Sequence, residues 1–377
     1  MSKQEEFASR EASAVREPKD VLTRRTILGA AGAFTFAAPF GFGAARAIAG
    51  LRPANLSSDL IDPICRTAGS EAAALSGPAR KLKLAWNATA ICTASAPVAK
   101  ERGHFARHNL DVEFVNFGGS TEQLLEAIAT GKADAGIGMA LRWIKPLEQG
   151  FDVRITAGVH GGCLRLLGSK AAKIDSLESL RGKAIAISDQ ASPAKNFFSL
   201  VLAKHGINPE KEVEWRQYPA DLLALAVDKG EVHAAADNDP RTYLWLKDGK
   251  LNEIATNLSG EFADRTCCVL AIRGSLIREE RAVATALTRA VLEGGQAVAH
   301  NPKDAAAVFS GYGGKGSIED LTAILNTHTH HDQKNGAELK KQIALYVDEL
   351  KLVKVIKPST DAAKFADRVF VDVLTPI

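Results

Sequence analysis

Aromatic residues are scarce in this chain, at 6% of 377 residues. So small a share argues against a long aromatic-lined channel for sugars or peptides, although the four tryptophans could still build a small cage. Charge of one sign is scarce too. The formal net charge is +3, and Arg16, Lys19, Arg24 and Arg25 place part of that excess near the N-terminus. A folded basic face for nucleic acid is therefore not expected. The five cysteines, Cys65, Cys92, Cys163, Cys267 and Cys268, are odd in number and widely spaced. They do not describe a dense disulfide framework. No internal repeat is visible, and no G-x-S-x-G, H-E-x-x-H, Walker or Rossmann glycine signature occurs. Without an assembled catalytic constellation the chain reads as a binder and not an enzyme.

What is present begins at the N-terminus. Thr23-Arg24-Arg25-Thr26-Ile27-Leu28 sets two arginines directly before an uncharged run rich in Ala, Gly and Phe and broken by Pro39. Small-residue stretches around Arg46, Ala45 to Ala49, suit a signal peptidase. The segment 1–49 resembles a twin-arginine signal peptide, which implies the Tat translocase as a partner during export. Gly, Ala and Pro make the run a poor permanent anchor. No cysteine lies near the cut to carry a lipid, so the mature chain is expected free in the periplasm. Residues 50–80 lack periodicity and read as a linker, with Cys65 in it.

From Lys81 onward short apolar runs alternate with amphipathic helical patterns. Strands are expected near 81–86, 112–117, 133–137 and 153–159, then again near 184–187, 213–217, 232–236 and 267–272. The stretch 94–107 reads as one helix, and Ser120 and Ser192 as N-caps of two others. Beyond residue 279 helical patterns dominate. Alternating strand and helix in two sets predicts an α/β protein of two lobes with mainly parallel sheets and a cleft between them. The divisions expected are 81–164 plus 266–300 for lobe 1, 165–265 for lobe 2, and a helical segment at 301–377 packing on both.

Several runs then carry a family resemblance. They are Ala99-Lys100-Glu101-Arg102-Gly103-His104-Phe105, Leu110-Asp111-Val112-Glu113-Phe114, Gly118-Gly119-Ser120, and Leu125 through Gly136. Leu180-Arg181-Gly182-Lys183-Ala184-Ile185-Ala186 and Asp239-Pro240 follow in the second set. In order and spacing they resemble the nitrate, sulfonate and taurine-type periplasmic binding proteins of ABC importers, a group that includes thiamine-precursor binders. The resemblance spans about residues 81–300. It implies a type II periplasmic binding protein, a small polar solute, an inner-membrane ABC permease as partner, and a monomer. Fungal thiamine-pyrimidine synthases share the fold and use a cysteine-rich motif; only Cys267-Cys268 echoes it here, so such an enzyme is the alternative reading. A metal- or cofactor-binding periplasmic protein is the other.

Strand ends and helix starts supply the candidate ligand-binding residues: Asn87, Thr89, Ser120, Thr121, Met139, His160, Ser188, Asp189, Ser192, Asp237 and Asp239. Helices starting after Gly118-Gly119 and after Ser192 would aim free N–H groups at an anion. Three carboxylates nearby would repel one unless they point away or pair with Arg142, Arg165 or Arg241, so an amine, a pyrimidine or a zwitterion stays open. No cofactor is called for, but Cys92, Cys163, Cys267 and Cys268 fall on loops expected to converge. They form either a soft-metal site, a disulfide or simple buried packing. His328, Thr329, His330 and His331 are expected in a solvated loop; on a helix, His328 and His331 would share a face.

Overall fold

A computed structural model describes residues 75–376. The leader, most of the linker and Cys65 lie outside the described residues. The first sheet opens with β1 (Arg80–Trp86), which has β2 (Leu110–Asn116) on one side and β3 (Ala135–Met139) on the other. Position decides each strand's pattern. Edge strand β2 alternates buried Leu110 and Val112 with exposed Asp111 and Glu113, whereas β3, between two strands and two layers, is buried at every residue.

The helix expected over 94–107 is two helices, α1 (Ser95–Glu101) and α2 (His104–Arg107). Gly103 ends the first by taking φ +71°, a left-handed conformation that suits a residue without Cβ. Then come α3 (Thr121–Ala129), α4 (Ala140–Glu148) and β4 (Val153–Gly161). The Ser120 side chain accepts from Gln123 N at 3.3 Å and caps α3 as expected.

The second sheet takes β5 (Leu164–Ser169), β6 (Lys183–Ile187), β7 (Val213–Gln217), β8 (Ala234–Asn238) and β9 (Leu251–Thr256). Between them lie α5 (Pro193–Lys204), capped by Ser192, then α6 (Leu223–Asp228) and α7 (Arg241–Lys247). β10 (Thr266–Arg273) then returns to the first sheet between β3 and β4. The tail is helical: α8 (Gly274–Glu279), α9 (Arg281–His300), α10 (Pro302–Gly311), α11 (Ile318–Thr327), α12 (Gly336–Leu352) and α13 (Ala362–Val369).

The architecture is the expected two-lobed α/β one, with sheets that are mixed where mainly parallel ones were anticipated. In the first, β1 pairs in parallel with β2 and β3, while β10 runs antiparallel to β3 and β4. In the second, β6 pairs in parallel with β7 and β8, while β5 runs antiparallel to β8 and β9. The reason is connectivity. Strands that carry the chain between sheets enter the new sheet from the cleft side, so they run against the strands built by β-α-β crossovers.

Two segments make those crossings, Gly162-Cys163 and residues 257–265. Asn257 stitches them together, its Oδ1 accepting from Cys163 N at 2.8 Å and Leu164 N at 2.7 Å. A Cβ on Gly162 would lie 2.9 Å from the Asn257 carbonyl oxygen, so only glycine allows this approach.

The tail helices are tied to the first sheet through Glu148, at the end of α4. Its side chain, 6% exposed, accepts from Lys145 Nζ at 2.7 Å, Lys357 N at 2.9 Å and Thr360 Oγ1 at 2.5 Å. Burial alone would raise this carboxyl, but those three donors outweigh it and hold the pKa down to about 2. A depressed acid stabilises the fold fully above its unfolded value and loses that contribution as pH falls toward the folded one. E148Q should therefore lower unfolding free energy at neutral pH by about 1–2 kcal/mol. It should also flatten the loss of stability between pH 4.5 and 2 that denaturant melts record for the parent. Parallel curves for the two proteins would show that the carboxylate contributes nothing.

Candidate functional site

Strand ends from both sheets meet in the cleft. From the first come Asn87 and Thr89 after β1, Thr121 at the start of α3, Met139 at the end of β3 and His160 in β4. From the second come Ser188 and Asp189 after β6, and Asp237 and Asp239 around the end of β8. Two contacts close the lobes on each other. Arg241 NH1 donates to Thr89 Oγ1 at 3.2 Å, and Thr121 Oγ1 donates to Asp189 Oδ2 at 3.5 Å.

The structure distributes the charges in that closed cleft. Arg241 grips Asp237 through Nε at 2.7 Å and NH2 at 3.1 Å. Asp239 is fully buried and holds Arg165, Thr242 and the Tyr243 backbone N–H. Two of the three cleft carboxylates are thus paired directly with arginine. Asp189 instead accepts from Ala191 N at 2.6 Å and faces the first lobe through Thr121.

Arg142, in the first turn of α4, donates from NH1 to Gly119 O at 2.7 Å and to Thr121 Oγ1 at 2.8 Å. Its guanidinium carbon sits 5.4 Å from the Phe117 ring centroid, and its Nε has no protein partner. Burial lowers its pKa from the usual arginine value, and nearby Asp189 partly opposes this. Asn87 is turned inward on Thr89, whose N–H and hydroxyl both donate to Asn87 Oδ1 at 3.0 and 2.9 Å. Ser192 is buried and used as the α5 cap, whereas Ser120 and Ser188 are half-buried.

The base of the cleft is lined with sulfur and imidazole. Cys92, on the short 3-10 turn after β1, Cys163, Cys267 and Cys268 are free and buried. Cys163 Sγ and Cys267 Sγ lie 3.4 Å apart, and Asn257 Nδ2 donates to Cys267 at 3.5 Å. Hydrogen bonds, from Cys163 foremost and then Cys268, hold the Cys92 and Cys267 thiols well below the ordinary value. Cys163 is pushed well above it by its bond to Cys267, and Cys268 by burial. Four thiols packed this closely cannot all ionise together.

The histidine run departs from the solvated loop expected for it. It does follow α11 as a loop, but His328 and His330 are buried and only His331 is exposed. The loop it opens covers the outer edge of β4, as Gly161 N donates to the Thr329 side-chain Oγ1 at 2.9 Å and Gly158 N to the Lys334 backbone O at 3.0 Å. His160 stacks on His328 at 5.3 Å between centroids with planes 2° apart, and lies 4.5 Å from His330. Burial pulls the His160 pKa down, but the neighbouring Cys92 thiol outweighs it and leaves the pKa raised. Burial drives His330 well below the usual histidine value. The sequence marked these histidines as a cluster, yet gave no sign that they pack on His160. That contact joins residues 168 or more positions apart and needs the fold.

Among the described residues no helix is long and apolar enough to cross a membrane. Curated proteins give no match to the sequence. Among solved structures, the alkanesulfonate-binding protein of Xanthomonas axonopodis pv. citri, bound to MOPS, superposes with TM-score 0.66 at 18% identity. The match covers 77% of this chain and 99% of that one. The periplasmic nitrate-binding protein of Synechocystis PCC 6803 gives 0.65 at 17% identity, over 79% and 88%. A Candida albicans protein described as having the generic periplasmic binding protein fold gives 0.63 at 16%, over 78% and 96%. The family model "NMT1/THI5 like" matches residues 93–305, more than half of the chain. The chain therefore belongs to the NMT1/THI5-like family and is built on the two-lobed periplasmic binding protein fold.

Proposed function

We propose that this chain is a periplasmic solute-binding protein that closes its two lobes on a small polar solute and delivers it to an inner-membrane ABC permease. The arginine pair Arg24-Arg25 supports export through the Tat translocase, and the mature protein then acts as a monomer. The observation that carries the reading is the pair of contacts across the cleft, Arg241 to Thr89 and Thr121 to Asp189. Contacts made only in the closed form are where a bound solute gains differential affinity and drives closure.

The charges favour one class among the nitrate, sulfonate and taurine solutes. Asp237 and Asp239 are neutralised by Arg241 and Arg165, which leaves Arg142 and Asp189 on opposite sides of Thr121. Arg142 with the α3 N-terminus suits a sulfonate or carboxylate, and Asp189 suits an ammonium. A solute carrying both, such as taurine, meets both groups, whereas nitrate or a simple alkanesulfonate meets an unpaired carboxylate.

Thermal melts of the purified protein test this. Taurine at about 100 times its Kd should add about 2.7 kcal/mol of stability. Calorimetric affinity should fall about 10- to 100-fold in R142M, which removes a charged hydrogen-bonding partner. D189N should narrow the preference for taurine over nitrate. If neither taurine nor any sulfonate or nitrate moves the melt, the reading fails. Turnover of the solute without a permease would replace it with an enzyme.

A further inference from the structure

We propose that Cys92, His160 and Cys268 form a binding site for a single thiophilic transition-metal ion, with His330 poised as a further donor. One ligand atom from each of the three lies within 4.8 Å of the others, and all three side chains are buried. Metal bonds of about 2.0–2.1 Å to nitrogen and about 2.3 Å to sulfur draw such a set together with small side-chain rotations. Two adjoining sets share its members. His160 also groups with His328 and His330, and Cys268 also groups with Cys163 and Cys267. The triad is the point where the two sets meet.

The tautomers are already arranged for ligation. His160 Nδ1 lies against the Gly161 carbonyl, which can only accept, so the ring proton sits there. His160 Nε2 is therefore bare, and it has no protein partner. His328 Nε2 likewise donates to Asp239 Oδ2 at 3.4 Å and leaves a bare, unpartnered Nδ1. An imidazole that gives one N–H to a carbonyl or carboxylate and aims the other nitrogen at a shared point is the arrangement seen around bound metals. His330 has no partner on either nitrogen and is fully buried.

Packing alone explains this poorly. Each unpartnered buried polar atom costs about 1–3 kcal/mol, and four such imidazole nitrogens lie on the three clustered histidines. Thiolate and imidazole donors select copper(I) or zinc-like ions over magnesium or calcium, which take oxygen. The site needs no transported solute and makes no claim about one; it stands or falls apart from the transport reading.

The full chain, purified reduced and under argon, should take up one equivalent of cobalt(II) as a zinc surrogate and show thiolate-to-metal charge-transfer absorption. Copper(I) should be withheld from a chromophoric chelator with the same stoichiometry. In C92S/C268S either affinity should fall at least about 100-fold, the limit that loss of a ligand-orienting group alone can reach. C163S/C267S, a control of equal packing disturbance, should keep its metal, and H330A should weaken binding without abolishing it. Melting curves confirm that each variant is folded. The proposal is overturned if the reduced protein binds neither ion, or if C92S/C268S retains metal. Loss confined to C163S/C267S would overturn it equally, by moving the site to the outer pair.

Discussion

Replacing Asp239 with Ala should destabilise the protein by about 3–5 kcal/mol, the cost of leaving a buried charge without its partner. The carboxylate is 0% exposed and is a hub, not a surface acid. It accepts from Arg165 Nε at 3.1 Å and NH2 at 3.3 Å, from Thr242 Oγ1 at 2.6 Å, from Tyr243 N at 3.1 Å and from His328 Nε2 at 3.4 Å. Removing it strands Arg165 in β5, where Glu253 becomes its remaining acidic neighbour, and releases the start of α7. Urea denaturation should show the loss as a lower midpoint with unchanged slope. D239N, which keeps shape and some hydrogen bonds, should cost clearly less. A D239L/R165M pair should cost less than the sum of its single changes, because exchanging a buried ion pair for apolar groups removes both desolvation penalties together. A loss below about 1 kcal/mol for D239A would mean the pair is in effect solvated.

Trp143 should give a loss of the same size by a different mechanism. W143A should cost about 3–5 kcal/mol through the cavity it leaves. The indole is fully buried and packs against β3, where a Cβ added to Gly136 would sit 3.2 Å from two of its ring carbons. A glycine at position 136 of β3 is thus explained by Leu124 and the Trp143 ring packed over it. Trp143 Nε1 has no hydrogen-bond partner, so W143F removes an unsatisfied donor along with some volume. Its melt should lie well above that of W143A. Equal losses in the two variants would show that the indole N–H finds a partner after all, or that the full ring area carries the packing.

How much of this was legible beforehand depended on the range of the interactions. Eight of the strands follow from short apolar runs bounded by Gly, Pro and polar residues, and the caps Ser120 and Ser192 from local chemistry. β5, β9 and α7 were not anticipated. Leu164–Ser169 is buried on both faces and follows β4 after two residues, so it shows no alternation and no turn long enough to mark a boundary. Leu251–Thr256 and Arg241–Lys247 are short and owe their form to neighbours already in place. Among site residues, pairing with arginine was one of two ways the cleft acids could tolerate an anion, and which arginine each acid takes was not legible. Arg142 remains outside these pairs because Asp237 has Arg241 four residues away, and Asp239, just past the end of β8, takes Arg165 of β5.

By itself the sequence determined the alternation of strand and helix, the two-lobed plan, the helix caps and the residue types at the strand ends. These rest on periodicity and on contacts a few residues apart, where the chain's own geometry fixes who meets whom. Only the tertiary structure decided that the sheets are mixed, that the lobes close through Thr89 and Thr121, and that His328 and His330 are buried against His160. The last depends on residues 160, 328 and 330 arriving at one point from β4 and from the loop after α11. No local pattern encodes that meeting, because the backbone that brings them together is positioned by the whole core.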